Sequence, residues 1–294
     1  MMDAPRVTPI TVKTIISKSG LPVCDYAVNP YVGCTHACAY CYASFMKRFT
    51  GHTEPWGAFL DVKYWEPVRN PERYRGKAFF IGSVTDPYNP QEAEYKRTRA
   101  FLREFQGSGA KISIQTKSDL VLRDLELIKT FPDARVGFSI NTLDEGVKED
   151  MDQAVSMERR LAAMKTLYDA GVRTTCFISP IFPGITDVEA IIDRTMAHCH
   201  LIWLENLNLR GEYKKVILEY IREKHPRLMP VYDAAYRHGD RACWERLHRR
   251  LAVFLRRRGL RYVRNEDGAV RPFDAPPTVV NFFYHEEIRT SARR

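Results

Sequence analysis

The sequence predicts an α/β protein whose core is a partial (β/α)6 barrel, a TIM-like barrel that does not close. Two observations carry this prediction. Apolar strand-like runs recur about every thirty residues, and amphipathic helical patterns separate them. That alternation is typical of βαβ units, which build parallel sheets. The length of 294 residues also suits one such barrel, because α/β barrels commonly use about 250 residues.

The same patterns place the individual elements. The first strand leads into a cysteine-rich loop, and apolar runs predict the other five strands at 77–82, 110–116, 134–140, 172–179 and 200–204. Helical patterns alternate with these strands at 94–105, 118–128, 161–171 and 187–196. The chain therefore supplies six strand–helix units in succession.

The two ends of the chain differ from this core. Residues 10–31 predict an N-terminal β-hairpin with its turn at Ser17-Lys-Ser-Gly20. We expect three parts: a hairpin extension at 1–24, the barrel core at 25–210 and a helical C-terminal extension at 211–294 that packs on the core.

The C-terminal extension is strongly basic. Between Arg241 and Arg264 there are nine arginines and one acidic residue, Glu245. An apolar stripe at helical spacing predicts a docked amphipathic helix; its members are Trp244, Leu247, Leu251, Phe254 and Leu255. The arginines off this stripe form either a solvated face or a binding surface for phosphate groups, as in nucleic acids, and both interpretations stay open.

Composition limits the class of protein. Hydrophobic residues make up 45% and charged residues 28%, and no apolar run approaches the ~18 residues of a membrane span. Seven cysteines are too few, and odd in number, for a disulfide framework. Residues 1–10 are mixed and contain proline, so no secretory signal is expected. We expect a cytoplasmic protein with reduced thiols and no membrane partner.

The most informative motif is a cysteine triplet, Cys34, Cys38 and Cys41, in the spacing C-x3-C-x2-C. Three ligands leave one metal position open for chemistry, whereas structural zinc sites use four. A [4Fe–4S] cluster on three thiolates likewise keeps one iron free for a small molecule. The alternative is a zinc-stabilised nucleic-acid-binding module without catalysis, with His36 or Cys24 as the fourth ligand.

Polar residues follow the predicted strands. They occur at 82–92, 115–118, 138–142, 179–187 and 204–210, and the cysteine loop follows the first strand. Each set alone also fits a turn or a helix cap. Because the carboxyl ends of barrel strands meet on one face, their joint occurrence indicates a functional face there.

The cysteine spacing, with Tyr40 just before the last cysteine, resembles the signature of the radical S-adenosylmethionine (SAM) superfamily. Three further stretches are similar to the spore photoproduct lyase-like group, also labelled DNA-repair-photolyase-like: Thr85-Asp-Pro-Tyr88, Thr116-Lys-Ser118 and Pro183-Gly-Ile-Thr-Asp187. Over its whole length the chain most resembles the bacterial set called radical SAM mobile pair protein B, which is encoded beside a second radical SAM protein.

The resemblance implies an enzyme in which Cys34, Cys38 and Cys41 hold a [4Fe–4S] cluster whose open iron binds SAM. An electron from the cluster would cleave SAM into methionine and a 5′-deoxyadenosyl radical that acts on the substrate. The implied partners are an electron donor such as flavodoxin or ferredoxin and the second radical SAM protein. The substrate stays open, with nucleic acid as one candidate class.

The resemblance also assigns SAM-binding residues. The backbone near Tyr40 would contact adenine, and Asp86, or its neighbours Ser83 and Thr85, would bind the methionine ammonium. Lys117 and Ser139 would bind the carboxylate and the ribose; a lysine is a suitable point charge for a carboxylate.

One departure limits what is carried over. The spore enzyme uses a cysteine near the end of its second strand as a hydrogen-atom donor, but Ile81-Gly-Ser-Val-Thr-Asp86 contains none. The lyase reaction is therefore not expected, and no residue is predicted to be catalytic.

Overall fold

The computed structural model describes residues 4–265, 279–283 and 285. Within these residues there are twelve strands: β1 Arg6–Val12, β2 Ile16–Lys18, β3 Tyr26–Val28, β4 Tyr31–Val32, β5 Phe59–Trp65, β6 Ala78–Ile81, β7 Lys111–Thr116, β8 Asp133–Ser139, β9 Arg173–Ile181, β10 Leu201–Asn206, β11 Arg261–Asn265 and β12 Val279–Phe283.

Helices connect these strands. The α-helices of the described residues are α1 Glu92–Tyr95, α2 Arg97–Phe105, α3 Leu125–Ile128, α4 Glu145–Met151, α5 Met157–Asp169, α6 Val188–Thr195, α7 Tyr213–Lys224, α8 Met229–Arg237 and α9 Ala242–Arg257. Short 3₁₀-helices lie at Tyr42–Phe49, Pro71–Tyr74, Asp119–Asp124, Met196–His198 and Pro226–Leu228.

The main sheet has the order β11-β12-β10-β9-β8-β7-β6-β3-β2. Its centre consists of β3, β6, β7, β8, β9 and β10, which are adjacent in chain order and pair in parallel. This confirms the predicted partial (β/α)6 barrel. All six strands end on the same face, so the loops that follow them are brought together.

The two faces of the sheet have different surroundings. Along β10, Ile202 and Leu204 belong to the large core between the sheet and the helices, whereas Leu201 and Trp203 belong to a smaller cluster with Val279. This alternation follows from the period of two in a β-strand. The barrel therefore has a helix-covered outside and an inner face with its own apolar cluster.

The N-terminal region forms a shorter hairpin than predicted. β2 and β3 pair antiparallel, but β1 pairs in parallel with β5 in a separate three-stranded sheet that also contains β4. The Thr14 hydroxyl accepts a hydrogen bond from the Ile16 N–H (3.1 Å), a local turn that separates β1 from β2. β5 was not predicted, because its sequence mixes apolar and charged residues.

The helix predicted at 94–105 is interrupted. Lys96 adopts a left-handed conformation (φ 53°) and divides α1 from α2. The buried Glu92 carboxylate then accepts hydrogen bonds from the N–H groups of Thr98 (2.9 Å) and Arg99 (3.2 Å). A side chain from the preceding helix thus satisfies the free donors at the start of α2.

The other predicted helices are found close to their expected positions. Ser118 accepts a hydrogen bond from the Leu120 N–H (3.2 Å) as the predicted cap, although the turn that follows is 3₁₀ before it becomes α3. Asp187 caps α6 by accepting from the Ala190 N–H (3.0 Å).

The C-terminal extension contributes strands as well as helices. β12 pairs in parallel with β10, and β11 pairs in parallel with β12. Both strands continue the sheet beyond the six central strands on its open side. In α9, the predicted stripe residues Trp244, Leu251 and Leu255 are buried, so this helix docks on the core as expected. None of the described helices has both the length and the apolar character that a membrane crossing requires.

Candidate active site

The cysteine loop is a series of tight turns after β4. The N–H groups of Ala37 and Cys41 donate to the carbonyls of Cys34 (3.1 Å) and Cys38 (3.0 Å). Gly33 has φ +88°, and a Cβ there would lie 2.4 Å from the carbonyl oxygen of Phe59 on β5. Glycine is therefore required where the chain enters the loop.

The loop brings the three predicted cysteines together. Burial raises the pKa of the Cys34 thiol, and Asp86, Cys38 and Cys41 raise it further. Burial also raises the pKa of Cys38 to about 12, although Lys117 opposes the shift. Three mutually repelling thiolates are unfavourable here without added positive charge. A metal centre supplies that charge, so the donor set fits a thiolate-bound cluster.

Several N–H groups surround Cys41. Burial raises the pKa of its thiol, whereas Lys117, the N–H groups of Ala43 and Ser44, and the indole of Trp56 lower it. The Trp56 Nε1 is itself buried and has no oxygen or nitrogen partner among the described residues. Hydrogen bonds to sulfur ligands are one of the means by which proteins tune iron–sulfur clusters.

The loop is anchored on one side by the chain that follows α4. The N–H of Ala39 donates to the carbonyl of Met151 (2.8 Å), and the N–H of Gln153 donates to the carbonyl of His36 (2.7 Å). The hydroxyl of Tyr40 donates to Asp152 Oδ2 (3.2 Å). The backbone around Tyr40 is thereby fixed next to the thiols.

Asp152 is held by a buried ion pair. Its Oδ1 accepts from Arg160 Nη2 on α5 at 2.7 Å, and both side chains are almost fully buried. Arg160 also donates to the carbonyls of Val155 (3.0 Å) and Ser139 (3.1 Å). The pair therefore links α5, the end of β8 and the cysteine loop.

Asp86, predicted as the ligand for an ammonium group, is already surrounded by protein donors. Oδ1 accepts from the Tyr88 N–H (2.9 Å) and the Thr116 hydroxyl (2.7 Å), and Oδ2 accepts from the Lys117 N–H (2.7 Å). His36 Nε2, in the cysteine loop, lies 3.1 Å from Oδ2.

These contacts favour the ionised carboxylate. Burial raises the pKa of Asp86, but His36 and the hydrogen bonds outweigh it and bring the pKa down to about 2. The carboxylate joins the loops after β4, β6 and β7, which is a supporting position rather than an open binding position.

The two neighbours of Asp86 lie on the same loop. The Thr85 hydroxyl donates to the carbonyl of Gly33 (2.6 Å), and Ser83 Oγ accepts from Asn29 Nδ2 (2.9 Å). Thr85 therefore also supports the cysteine loop. Ser83 lies at the end of β6, and its carbonyl accepts a hydrogen bond from the Tyr42 hydroxyl.

Lys117 points toward the cysteine loop. Its Nζ lies 5.6 Å from the centre of the Tyr40 ring and forms no hydrogen bond or ion pair with the residues that the structure describes. Burial lowers the pKa of Lys117, whereas Cys38, Asp152 and Asp86 raise it, and the net shift is upward. An unpaired, charged ammonium beside the thiols is suited to bind an anionic group.

Ser139 is the last residue of β8 and is buried. Its Oγ accepts from Gln115 Nε2 on β7 (3.1 Å), which leaves the hydroxyl proton available. The predicted site residues are thus all brought to the carboxyl ends of β6, β7 and β8, around the cysteine loop.

The opposite side of the barrel mouth also carries polar groups. Glu205 on β10 accepts from Ser179 Oγ (2.9 Å) and Trp203 Nε1 (2.9 Å), and His285 Nε2 lies 3.3 Å from its Oε2.

The two alternative zinc ligands lie in other surroundings. Cys24 lies just before β3, and the next residue, Asp25, pairs with Ala78 at the start of β6. This is the amino end of the strands, whereas the triplet is at the carboxyl end. His36 faces Asp86. The placement does not favour either residue as a fourth ligand of the triplet.

Sequence reasoning missed Asp152, Arg160 and Trp56. Asp152 and Arg160 lie more than a hundred residues along the chain from the triplet, Trp56 lies in a turn 15 residues after Cys41, and nothing in the local sequence marks any of the three. His36 was considered only as a metal ligand.

Part of the basic face on α9 is used to dock the helix. Arg250 pairs with Glu189 at 2.8 Å and Arg258 with Asp193, both on α6, and Arg264 pairs with Glu245 at 2.8 Å. Other arginines on this face are exposed; they are Arg246, Arg249, Arg256 and Arg257. The docked-helix interpretation is confirmed, and binding of a polyanion stays a prediction.

Comparison with known proteins identifies relatives of this arrangement. The family model for the radical SAM superfamily matches residues 28–194. An uncharacterised protein of Methanocaldococcus jannaschii is 38% identical over 226 residues, which cover 75% of this chain and 84% of that protein. A radical SAM Nα-GlyT isomerase of Pseudomonas phage M6 is 27% identical over 176 residues, covering 58% of this chain and 36% of the isomerase.

Solved structures share the fold. A mutant of spore photoproduct lyase with a dinucleoside spore photoproduct superposes with a TM-score of 0.56 at 17% identity, covering 75% of this chain and 66% of the lyase chain. SuiB of Streptococcus suis bound to S-adenosylmethionine gives a TM-score of 0.54 at 15% identity, covering 88% of this chain and 50% of SuiB.

The Arg160–Asp152 pair gives a first prediction. Arg160→Met should lower the free energy of unfolding by about 3–5 kcal/mol, because it leaves the Asp152 charge buried without a partner. Urea denaturation followed by circular dichroism measures this. The double variant Arg160→Met/Asp152→Asn should recover part of the loss. A loss below about 1 kcal/mol in the single variant would show that the pair does not anchor the loop.

Proposed function

Because the chain belongs to the radical SAM superfamily, we propose that it binds a [4Fe–4S] cluster through Cys34, Cys38 and Cys41 and reductively cleaves SAM. The observation that carries this proposal is that three thiols, one buried and two half-buried, share one loop at the carboxyl end of a parallel barrel. Beside them lies an ammonium that forms no hydrogen bond or ion pair with the described residues. When bound, the cluster supplies the electron that divides SAM into methionine and a 5′-deoxyadenosyl radical.

The chain's own residues prepare this site before any cofactor binds. Asp86 and Asp152 fix the cysteine loop from two sides, so the backbone that carries the three thiols is held in place. Burial raises the pKa of the Cys41 thiol, and the nearby N–H groups reduce that rise. They therefore assist formation of the thiolate that ligates iron once a metal supplies positive charge. The donor set of three thiols without a fourth at the same end of the barrel supports a cluster with one open iron.

SAM binding is proposed for the residues between the loop and β8. Lys117 is positioned for the carboxylate, since its ammonium lies over the Tyr40 ring and forms no hydrogen bond or ion pair with the described residues. Ser139, supported by Gln115, is positioned for a ribose hydroxyl, and the backbone at Tyr40 for adenine. Because Asp86 is occupied, the ammonium is left to the segment around Ser83, with Asp86 and Thr85 supporting the loop.

For the substrate we propose nucleic acid. One structural neighbour, spore photoproduct lyase, has been solved with a dinucleoside spore photoproduct. The net charge of +9 also favours a polyanionic partner. The loop after β6 lacks the cysteine that the spore enzyme uses as a hydrogen-atom donor, so a reaction other than that of the lyase is proposed.

Two protein partners belong to this proposal. Reduction of the cluster requires a one-electron donor, for which flavodoxin or ferredoxin is suited. The second radical SAM protein implied by the sequence resemblance is the other proposed partner.

The cluster assignment predicts the iron content of single cysteine variants. Cys34→Ala, Cys38→Ala and Cys41→Ala should each lose the cluster and its brown visible absorption, because a missing thiolate leaves an iron without its ligand. Iron analysis after anaerobic reconstitution measures this. Cys24→Ala and Cys243→Ala are controls that should keep full iron. Loss of iron in Cys24→Ala alone would overturn the assignment.

The SAM assignment predicts a binding defect without a cluster defect. Lys117→Ala should weaken SAM binding by about ten- to a hundred-fold, since a hydrogen bond to a charged group contributes about 1.5–3 kcal/mol. Isothermal titration of the reconstituted protein measures the affinity. Lys111→Ala, at the amino end of β7, the strand that Lys117 directly follows, is the matched control.

The SAM titration together with iron analysis distinguishes a residue that binds SAM, Lys117, from one that supports the cysteine loop, Asp86. The backbone N–H of Lys117, which donates to Asp86, is kept in Lys117→Ala, so the iron content should be normal. Asp86→Ala should instead lose iron as well as SAM affinity. Equal SAM affinities in Lys117→Ala and the wild type would show that this lysine does not bind the carboxylate.

A further inference from the structure

The segment that follows Cys41 carries three exposed aromatic side chains, although aromatic side chains are usually buried. Tyr42, Phe45 and Phe49 of the 3₁₀-helix Tyr42–Phe49 are 59%, 42% and 66% exposed. In a 3₁₀-helix, residues three apart lie above one another. Tyr42, Phe45 and Arg48 therefore share one face, and Phe49 lies beside it. We call these four residues the aromatic ridge.

Positive charge is interleaved with the rings. The Arg48 guanidinium lies 4.6 Å from the centre of the Phe49 ring and 5.4 Å from that of Phe45. The neighbouring Lys47 Nζ donates to the carbonyl of Thr53 at 3.0 Å. Neither cation forms an ion pair with the part of the chain that the structure describes. The ridge therefore presents both apolar ring faces and unneutralised charge.

The ridge begins at the barrel mouth. Its first residue directly follows the cluster ligand Cys41, and the Tyr42 hydroxyl donates to the carbonyl of Ser83 at the end of β6. From there the helix leads outward to Phe49. A long substrate that reaches the mouth has this surface directly beside it.

We propose that the aromatic ridge binds single-stranded nucleic acid, with bases stacked on Phe45 and Phe49 and phosphates near Lys47 and Arg48. This inference deepens the proposed function, on which it rests, by assigning a binding surface for the substrate class. Aromatic rings that alternate with cations are the recurring platform for single strands, because every base has a face that stacks.

A protein partner is less well matched to this surface. Protein interfaces of ordinary size bury about 800 Å² on each partner around a desolvated centre. The ridge is one short helix whose cations lie against its rings. A protein interface formed there would therefore have charged groups at its centre. Base stacking between rings and phosphate contacts beside them use both features at once.

The test is the affinity of the cluster-containing protein for a fluorescein-labelled dT12 strand, measured by anisotropy at several salt concentrations. Phe45→Ala/Phe49→Ala should weaken binding by at least about tenfold at every salt concentration, since stacking is not ionic. Lys47→Ala/Arg48→Ala should instead reduce the salt dependence, with a slope smaller by about 1.4 for two lost phosphate contacts.

Tyr64→Ala is the matched control. Tyr64 is also exposed (38%) and also has an arginine, Arg97, 4.3 Å from its ring centre, but it belongs to β5. Its affinity for dT12 should equal that of the wild type. Visible absorption and urea denaturation check that every variant keeps its cluster and its fold.

Two results would overturn the inference. One is unchanged dT12 affinity in Phe45→Ala/Phe49→Ala. If this variant binds dT12 normally but accepts electrons from flavodoxin more slowly, the ridge is a docking surface for the reductase instead. The other is no binding of dT12 by the wild type at low salt. Release of 5′-deoxyadenosine from SAM in the same preparation would then show that the proposed SAM chemistry stands without the ridge.

Discussion

The buried carboxylate of Asp86 is the interaction on which the site depends. It accepts hydrogen bonds from Tyr88, Thr116 and the backbone of Lys117, and it faces His36 in the cysteine loop. A buried charge is tolerated only when its hydrogen-bonding positions are filled. The three hydrogen bonds fill positions on both oxygens. Burial raises the pKa of the carboxyl, but His36 and these hydrogen bonds outweigh it and bring the pKa down to about 2. The loops after β4, β6 and β7 therefore have one relative arrangement in which this carboxylate is satisfied, and in that arrangement the three thiols converge.

A second support acts from the other side. Asp152 and Arg160 hold Tyr40 through a fully buried ion pair, and Lys117 lies between the two supports with its ammonium toward the thiols. Both carboxylates, Asp86 and Asp152, are hydrogen-bonded to groups that position the loop, whereas the Lys117 ammonium can still donate hydrogen bonds to a ligand. Because the acidic residues are already paired within the protein, the site presents the positive charge of Lys117 to an anionic ligand.

Sequence and structure agree where the signal is periodic. The five apolar runs became β6 to β10 within a few residues, and the triplet marked the loop because its spacing is specific. The role of Asp86 could not be derived in this way, because its position at a strand end is the same for a ligand and for a support. The difference depends on partners that fold next to it from about 30 to 50 residues away. The break at Lys96 depends on the Glu92 cap, a contact that no local pattern predicts.

The central claim is that the three thiols hold a cluster that cleaves SAM. The most direct test is to incubate the anaerobically reconstituted, dithionite-reduced protein with SAM and to quantify 5′-deoxyadenosine and methionine by chromatography. Both products should form in equal amounts, and only when iron and sulfide have been incorporated. A colourless protein that binds stoichiometric zinc, or a full cluster that yields neither product from SAM, would contradict it.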